Sequence, residues 1–453
     1  MSIAPADIAT LRAKVAGPVL TPTDDGFADE VASWVQTFIH TPEVAVGVTS
    51  TADVVAAVTF ASEHQLPVRV QATGHGSHAA VTDGVFINTR RLNDVVIDAA
   101  TKEATIGAGT QWGAAVAAAA EHGLAPITGS SPTVGVVGFL LGGGVGPLAR
   151  SHGFGSDYVR EIELVTAAGQ VVVATATENA DLFWALRGGK GGFGVVTRVT
   201  LALVELEMLY GGSLTFDGPN IEAALRAWID YTATADPQVS TSIAIVRMPD
   251  LPFIPEPMRG RTLLSLRFAY PGDTQRGEEL AAPLRAAAPV YIDTVCEMKA
   301  AEIARIHGDP TDPTPGWNTG RMFTTIDQEF ATALLGQVGL GKQAPFIAVE
   351  VRQLGSAAAQ DVAAGSAVGG RSPEYTLSLI GAPNPALFEK IVPGAAAALI
   401  GELQPWLADE TTINFLGHYD ASGWPADTLA RLAAIRSEVD PNGVFVYAVT
   451  SHS

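Results

Sequence analysis

The chain has a single cysteine among 453 residues, few basic residues and no long apolar run, and each scarcity excludes a class of protein. Cys296 alone cannot form an intrachain disulfide or a multi-cysteine metal or iron–sulfur site, so no metal site is expected. A lone thiol of this kind is expected to be buried. The 27 Lys and Arg against 47 Asp and Glu give a formal net charge of −20, which argues against nucleic acid or anionic membranes as partners.

The apolar residues are spread along the chain rather than gathered into long segments. No stretch reaches the length of a membrane span without an interrupting charge, Gly or Pro. The first residues show no charged stretch followed by an apolar run, so no signal peptide is visible and a cytoplasmic protein is expected. With 47% hydrophobic and 16% charged residues the chain is expected to be globular, and its length favours two or three domains.

The first 200 residues alternate between helical and strand-like segments. Apolar spacing predicts helices over 51–65, 112–123 and 179–189, with Gly123 as a left-handed cap and Asn179 as an N-cap. Runs rich in Val, Ile and Thr predict strands over 68–73 and 194–206, and a strand pair over 161–175. Near the other end, a helix beginning at 427 is expected to stop at Asp440 and Pro441.

After residue 208 the glycine-rich turns become fewer and the pattern changes. Strands are predicted over 262–270, 345–355 and 375–381. Ala-rich helices and a Pro-rich connection at 308–317 separate them. This arrangement predicts a second α+β domain with an antiparallel sheet and helices on one face.

Three glycine-rich loops lie in the first 200 residues. The loop GGKGGFG at 188–194 matches a dinucleotide fingerprint, but a helix precedes it and a strand follows, so a Rossmann NAD site is rejected. The loops at 72–78 and 128–146 suit phosphate binding by converging backbone N–H groups. The alternative is that they provide only tight turns and close packing.

Five segments together carry a family resemblance: VQATGHGSH, SSPTVGVVGFLLGGGVGPLARSHGFGSDYV, DLFWALRGGKGGFGVVT, EVRQLGSA and VDPNGVF. They resemble the berberine bridge enzyme-like group of the vanillyl-alcohol oxidase (p-cresol methylhydroxylase, PCMH) flavoprotein superfamily. The resemblance implies an α+β, two-domain PCMH-type FAD-binding fold with an inserted substrate domain of antiparallel sheet covered by helices. The FAD domain would be 1–207, the substrate domain 208–408 and the C-terminal return 409–453, with the flavin ring between the domains.

The resemblance also implies FAD held covalently through one histidine, His75, bonded to the C8 methyl carbon of the flavin. The alternative is a loop histidine that makes a hydrogen bond, and His78 is a less suitable attachment point. Ser131 stands where bicovalent members have a cysteine, and Phe139 where a histidine is usual, so the chain is nearer the singly linked bacterial members. The other residues implied to contact the cofactor are Ala72, Thr73, Gly74, Gly76, Ser77, His78, Gly129, Ser130, Ser131, Thr133, Val134, Gly135, Gly138, Phe139, Gly142, Gly143, Gly144, Gly146, Gly194, Val195, Val196 and Tyr447.

The catalytic residues are less clearly indicated. By resemblance Val134 occupies the oxygen-gate position, where valine is permissive, although ordinary packing is the alternative. The family glutamate that acts as base corresponds to Ser378, a poor base at neutral pH. Glu350 and Arg352 share one face of a strand, as candidates for catalysis or as an ion pair. Further candidates are Tyr375 and Tyr447.

The function implied is an FAD-dependent oxidase that transfers hydride from a small organic substrate, an alcohol, amine or phenolic secondary metabolite, to the flavin. Molecular oxygen would accept the electrons and give hydrogen peroxide. Two alternatives stay open. One is a dehydrogenase of the same fold with another acceptor, and the other is a flavin-binding protein without catalysis.

Overall fold

The computed structural model describes residues 3–252, 254–417 and 423–446. Its first part contains a four-stranded sheet in the order β1-β2-β4-β3, in which β2, β4 and β3 run parallel and β1 pairs antiparallel to β2. The elements are α1 (Pro5–Lys14), β1 (Val19–Leu20), α2 (Phe27–Val31), β2 (Val44–Gly47), α3 (Thr51–Glu63), β3 (Val68–Gln71) and β4 (Val85–Asn88). Helix α3 begins where Ser50 accepts the N–H of Asp53.

A second, antiparallel sheet of five strands follows, in the order β5-β6-β10-β8-β9, beside the short pair β7 and β11. Its elements are β5 (Val95–Asp98), β6 (Glu103–Gly107), α4 (Trp112–Ala120), β7 (Leu124–Ala125), α5 (Val136–Leu140), α6 (Ala149–His152), β8 (Val159–Val165), β9 (Val171–Thr175), α7 (Ala180–Leu186), β10 (Val195–Ala202) and β11 (Val204–Glu205). Gly123 has φ +68°, as expected of a left-handed cap.

The middle of the chain forms one large antiparallel sheet in the order β15-β12-β14-β13-β18-β19-β17, with β16 also paired to β12. Its strands are β12 (Met208–Phe216), β13 (Ser240–Arg247), β14 (Thr262–Tyr270), β15 (Ile292–Asp293), β16 (Cys296–Lys299), β17 (Asn318–Phe323), β18 (Phe346–Gln353) and β19 (Tyr375–Gly381). Its helices are α8 (Ile221–Thr232), α9 (Thr274–Arg285), α10 (Gln328–Val338) and α11 (Ile391–Glu402).

The two faces of this large sheet differ in polarity because side chains alternate along each strand. One face is apolar and is buried beneath helices α8, α10 and α11, where Trp228 and Phe330 join the strand residues in one core. The opposite face, called here the polar face, carries Ser242, Arg267, Glu350, Arg352 and Ser378, which the strand registers place side by side. The predicted antiparallel sheet with helices on one face is confirmed.

The polar face lies against the segment that follows the second glycine loop. Val145, Gly146 and Pro147 line a cavity together with residues of β13, β14 and β18. Arg150 fixes this segment in place because its guanidinium donates hydrogen bonds to the carbonyls of Val239 and Leu354. The cavity is therefore bounded by two distant parts of the chain.

The described C-terminal residues pack on the first two sheets. Helix α12 (Ala426–Val439) reaches the loop at 188–194, where Arg436 donates to the carbonyls of Gly189 and Gly191. Val68 then donates to the carbonyl of Val444 beside β3. The 188–194 loop has α7 before it and β10 after it, which confirms the order used to reject a Rossmann site. The predicted domain boundaries at 207/208 and 408/409 stay predictions.

One local expectation is wrong, and a second is confirmed in position only. Cys296 is exposed, because it lies on the short strand β16 at the edge of the large sheet. Asn179 occupies the N-cap position of α7, but its side chain donates to the carbonyl of Val173 instead of capping the helix. Across the described ranges, no helix is both long and apolar enough to cross a bilayer. The same ranges contain no cluster of His, Cys, Asp and Glu that could hold a metal ion.

Candidate active site

His75 lies on the first glycine loop, directly after β3, and its ring is held from two sides. The indole of Trp34 stacks on it with ring centroids 4.0 Å apart. Its Nε2 lies 2.9 Å from Oγ1 of Thr133 on the second glycine loop. Nδ1 is therefore the nitrogen left for another bond. Gly74 precedes His75 with φ +76°, and a Cβ there would come within 2.6 Å of Ser33, so the turn requires glycine.

Burial makes the His75 ring an uncharged imidazole at neutral pH. Burial lowers the pKa of His75 to about 4, although the carboxylate of Asp309 acts in the opposite direction. A neutral ring nitrogen has a lone pair, which a protonated one lacks. His75 is thus in the protonation state needed to form a covalent bond to carbon.

The two glycine loops contact each other, and polar side chains join them. A Cβ on Gly135 would lie 3.5 Å from Ala72 and from Thr73. The hydroxyls of Ser131 and Thr133 are 3.1 Å apart, so Ser131 extends the contact made by His75. The structure therefore joins the predicted attachment histidine, through Thr133, to Ser131, the position at which the resemblance implies a cysteine in bicovalent members.

The segment 307–316, which precedes β17, contacts Ser130 on the second glycine loop and the residues 34–37, among which Trp34 stacks on His75. Asp309 accepts a hydrogen bond from Ser130 at 2.6 Å. Gln36 donates to the carbonyl of Thr314 at 3.0 Å, and Thr37 bonds the backbone of Gly316. The Pro-rich connection seen in the sequence is therefore a contact between the two predicted domains beside His75.

Several glycines of the second loop are explained by packing inside the protein. The ring of Phe139 lies where a Cβ on Gly129 or Gly144 would be, at 2.8 and 2.3 Å, and a Cβ on Gly142 would meet Asn414 at 2.1 Å. A Cβ on Gly146 would meet the carbonyl of Thr128 at 1.8 Å. Phe139 thus fills space within the loop. The predicted phosphate contacts of these glycines, and those of Gly138 and Gly143, stay predictions.

The remaining predicted cofactor residues lie in four places. The side chains of Val195 and Val196 are buried in the hydrophobic cores at the start of β10, beside Gly194, so only their backbone could contact a cofactor. Val134 is half-buried, and its carbonyl accepts the N–H of Trp112. Ser77 bonds Ser33 at 3.1 Å, beside Gly76 and His78. Tyr447 lies outside the described residues.

The first part of the chain has features that fit an FAD group. The hydroxyls of Thr128, the first residue of the second loop, and of Thr110, whose carbonyl accepts the N–H of Val136 on that loop, are buried without a hydrogen-bond partner. Oxygen atoms of a bound cofactor would supply one. Together with the neutral His75 ring and the glycine loops, these hydroxyls form a donor set suited to a flavin nucleotide. When bound, FAD would supply the hydride acceptor.

The second half of the site lies on the polar face of the large sheet. The Glu350 carboxylate is 2.8 Å from Arg267, 2.8 Å from Arg352 and 3.5 Å from the His307 ring. Ser242 also donates to it at 3.1 Å. The predicted shared face and ion pair of Glu350 and Arg352 are therefore present.

Charge and burial set the protonation states in this cluster. Burial alone would raise the pKa of Glu350, but the positive charges of Arg352 and Arg267 hold it well below its usual value. Burial, and next the charge of Arg352, lower the pKa of His307. Glu350 is thus an ionised carboxylate with weak affinity for a proton, and His307 is a neutral ring.

The other catalytic candidates lie on different faces. Ser378 is buried on the polar face, directly opposite Glu350 in the strand register. Tyr375 lies on the apolar face, where its hydroxyl bonds Thr232 beneath α8. The structure therefore does not bring Tyr375 to the site. Sequence reasoning missed Arg267 and His307. Arg267 could have been found from its alternation with apolar residues in the predicted strand at 262–270, but His307 follows a short helix and carries no local signal.

Comparison with known proteins agrees with this geometry. The family model described as FAD binding domain matches residues 42–175. The (R)-6-hydroxynicotine oxidase of Paenarthrobacter nicotinovorans is 38% identical over 202 residues, which is 44% of each chain. The match spans less than half the length of the curated relatives, which are named FAD-linked oxidoreductases and oxidases, in agreement with the predicted FAD-linked oxidoreductase.

Solved structures resemble the whole chain. The 6-hydroxy-D-nicotine oxidase of Arthrobacter nicotinovorans has a TM-score of 0.81 at 24% identity, covering 95% of this chain and 96% of that one. The glucooligosaccharide oxidase of Acremonium strictum, described with a 6-S-cysteinyl, 8α-N1-histidyl FAD, has a TM-score of 0.83 at 19% identity over 98% of both chains. The chain thus contains an FAD-binding domain and has the α+β fold of the PCMH-type, berberine bridge enzyme-like flavin oxidases.

Proposed function

We propose that this chain is an FAD-dependent oxidase that holds its flavin through a single bond to His75. The observation that carries the proposal is the surroundings of that ring, which is neutral, stacked on Trp34 and bonded through Nε2 to Thr133. Ser131 stands beside it where a cysteine would be needed for a second attachment. A solved relative of the same fold is described with a histidyl FAD linkage, which supports the assignment.

The proposed substrate is a small alcohol, amine or phenol that binds between the His75 loop and the polar face. Its oxidation requires a proton to leave an O–H or N–H group as hydride departs. Glu350 and Ser378 lie on the face where such a group would bind. Glu350 is ionised, but its two arginine partners make it a weak base. The role proposed for Glu350 is therefore to hold Arg267 and Arg352 in position.

Oxygen is the proposed acceptor, with hydrogen peroxide as the product. Val134 is the residue proposed to leave oxygen a path to the flavin. It lies half-buried on the second loop, three residues from Ser131 and next to the Thr133 that bonds His75. Its short side chain takes up less space there than a leucine would.

Two measurements on the purified protein test the proposal. A panel of alcohols, amines and phenols is mixed with the protein without oxygen, and at least one should bleach the flavin absorbance. Air is then admitted in a stopped-flow instrument, and rapid return of the absorbance with one peroxide per turnover is expected. Reduction followed by slow reoxidation would indicate a dehydrogenase. A bound flavin that no compound bleaches would indicate a protein without this activity.

A further inference from the structure

The cluster on the polar face carries more positive than negative charge. Arg267 and Arg352 both pair with the Glu350 carboxylate, and the structure gives neither arginine another acidic partner within 3–252, 254–417 and 423–446. His307 adds no compensating negative charge. Two guanidinium groups therefore share one carboxylate in a place where water is largely excluded. Such an excess is costly to bury, even in a chain whose formal net charge is −20.

The cluster also has hydrogen-bond donors that are not used. The Nε atoms of Arg267 and Arg352 are buried without a partner, and neither ring nitrogen of His307 makes a hydrogen bond. The side chains are only 11%, 12% and 4% exposed, respectively, so bulk water does not satisfy them. Buried polar groups are nearly always paired in native structures. Unpaired donors beside excess positive charge indicate that an acceptor with negative charge belongs here.

These donors lie at a cavity and not within a closed core. Arg267, His307 and Arg352 line the same cavity, with Ser242 and with Gly146 from the segment after the second glycine loop. The cavity therefore joins the polar face to the predicted FAD domain. A ligand placed there would touch the arginines and the flavin-binding part of the chain together.

We infer that Arg267 and Arg352 form a binding site for the carboxylate group of the substrate. The inference rests on the proposed function and narrows its substrate class to organic acids that also carry the oxidisable group. A guanidinium presents its donors in a planar fork that matches two carboxylate oxygens. The ring of Phe415 lies 5.1 Å from Cζ of Arg352, which fixes the orientation of that fork.

The test compares a carboxylate with its neutral isostere on the flavin-loaded protein. Isothermal titration with benzoate and benzamide, and with acetate and acetamide, should show at least about tenfold tighter binding of each carboxylate. Arg267→Met should weaken benzoate binding about tenfold or more and leave benzamide within about twofold. Arg267→Lys should restore part of the preference, since it keeps the charge. Arg247→Met, at the end of β13 and bonded to the Val338 carbonyl, is the matched control and should change neither affinity.

Equal binding of acid and amide in the wild type would overturn the inference, and that comparison needs no variant. A second result would also overturn the inference: Arg267→Met no longer forms a flavin–sulfite adduct but binds benzoate as tightly as the wild type. The positive charge of Arg267 would then act on the flavin and not on the substrate. The two proposals fail separately. If neutral compounds reduce the flavin and carboxylates bind no more tightly than amides, the proposed oxidase function stands and this inference is wrong. A protein without bound flavin loses the proposed function.

Discussion

The candidate site has two halves, the loop half around His75 and the sheet half on the polar face. They differ in how far apart along the chain their residues lie. Around His75, the two glycine loops supply the histidine and its partner Thr133, each loop is a short continuous stretch, and Trp34 stacks on the ring from outside them. On the polar face, Ser242, Arg267, His307 and Glu350 come from four separate segments, which only the strand registers and the 307–316 segment bring together. The first half is thus set by local backbone geometry and the second by long-range pairing.

The halves also differ in how well their polar groups are partnered. The His75 ring is bonded to Thr133 and stacked on Trp34, and the unpartnered groups on that side are the neutral hydroxyls of Thr110 and Thr128, whereas the polar face keeps unpartnered arginine and histidine nitrogens. In the proposed function, the permanently attached cofactor completes the first half, and a substrate that binds and leaves completes the second.

The largest expected effect belongs to the loop half. His75→Ala should abolish covalent attachment completely, because Nδ1 of His75 is the nitrogen that the surroundings leave for the bond. Flavin binding itself should persist, since the glycine loops remain. Acid precipitation followed by absorbance of the supernatant measures this. The matched control is His78→Ala on the same loop, which should keep the flavin in the pellet. Free flavin in the supernatant of that variant would indicate that His78, and not His75, is the attachment point.

The next effect tests the sheet half. Glu350→Gln removes the one carboxylate shared by two buried arginines and should cost about 3–5 kcal/mol of unfolding free energy. Flavin reduction should fall less than about tenfold, because a carboxylate with so low a pKa is a weak base. Denaturant unfolding and anaerobic stopped-flow measure the two quantities, with Arg247→Met, which does not line the cavity, as control. A rate loss of about 100-fold to 10,000-fold at unchanged stability would instead identify Glu350 as the base.

The residues of the loop half follow from the family resemblance, whose motifs are local: Gly74 next to His75, and the serine at 131 before Pro132, can be read within a few residues. Attachment of a cofactor through His75 stays a prediction. The second α+β domain was predicted from strand and helix patterns, whereas the two-domain fold was implied by the resemblance. The sheet half could be predicted only in part. Alternation placed Glu350 and Arg352 on one face, but no periodicity tells which strand will pair with β18 or that His307 will reach it.

The errors have the same physical origin. Tyr375 is a further catalytic candidate in the sequence, yet it differs from Ser378 by an odd number of positions and so faces the helices. Cys296 was expected to be buried, but it is exposed on the short strand β16, which joins the large sheet through its pairing with β12. Both outcomes depend on the sheet as a whole, which a local pattern does not describe.

A smaller effect is expected from the second loop. Val134→Leu adds one methylene to a half-buried side chain, with a strain of about 1–3 kcal/mol at most. Reoxidation of the reduced flavin by oxygen should become several-fold slower, while reduction by substrate stays nearly unchanged. Double-mixing stopped-flow resolves the two steps. Val137→Leu, on the same segment and packed in the core, is the control for a general disturbance of packing in the loop. Equal reoxidation rates in Val134→Leu and wild type would mean that oxygen arrives by another route.

The smallest effect is a pH dependence of stability on the polar face. The pKa of His307 is lowered in the folded protein, so the unfolded chain binds the extra proton first as pH falls below about 6.5. The contribution of this group to folding stability is therefore full above pH 6.5 and is lost progressively as the pH falls below it. His307→Gln should show a smaller drop between pH 7.5 and 5 in denaturant unfolding. His122→Gln, at an exposed position, is the control and should show the same drop as the wild type. A drop in His307→Gln equal to that of the wild type would mean that the His307 ring is charged in the folded protein.

Peptide mass mapping of the denatured wild-type protein tests the central claim most directly, that one bond through His75 holds the flavin. The protein is unfolded in acid, digested and searched for peptides carrying the mass of FAD. The account predicts flavin mass on the peptide that contains His75 and on no other, with the Ser131 peptide unmodified. Flavin released into solution on unfolding, or flavin mass on any other peptide, would contradict it.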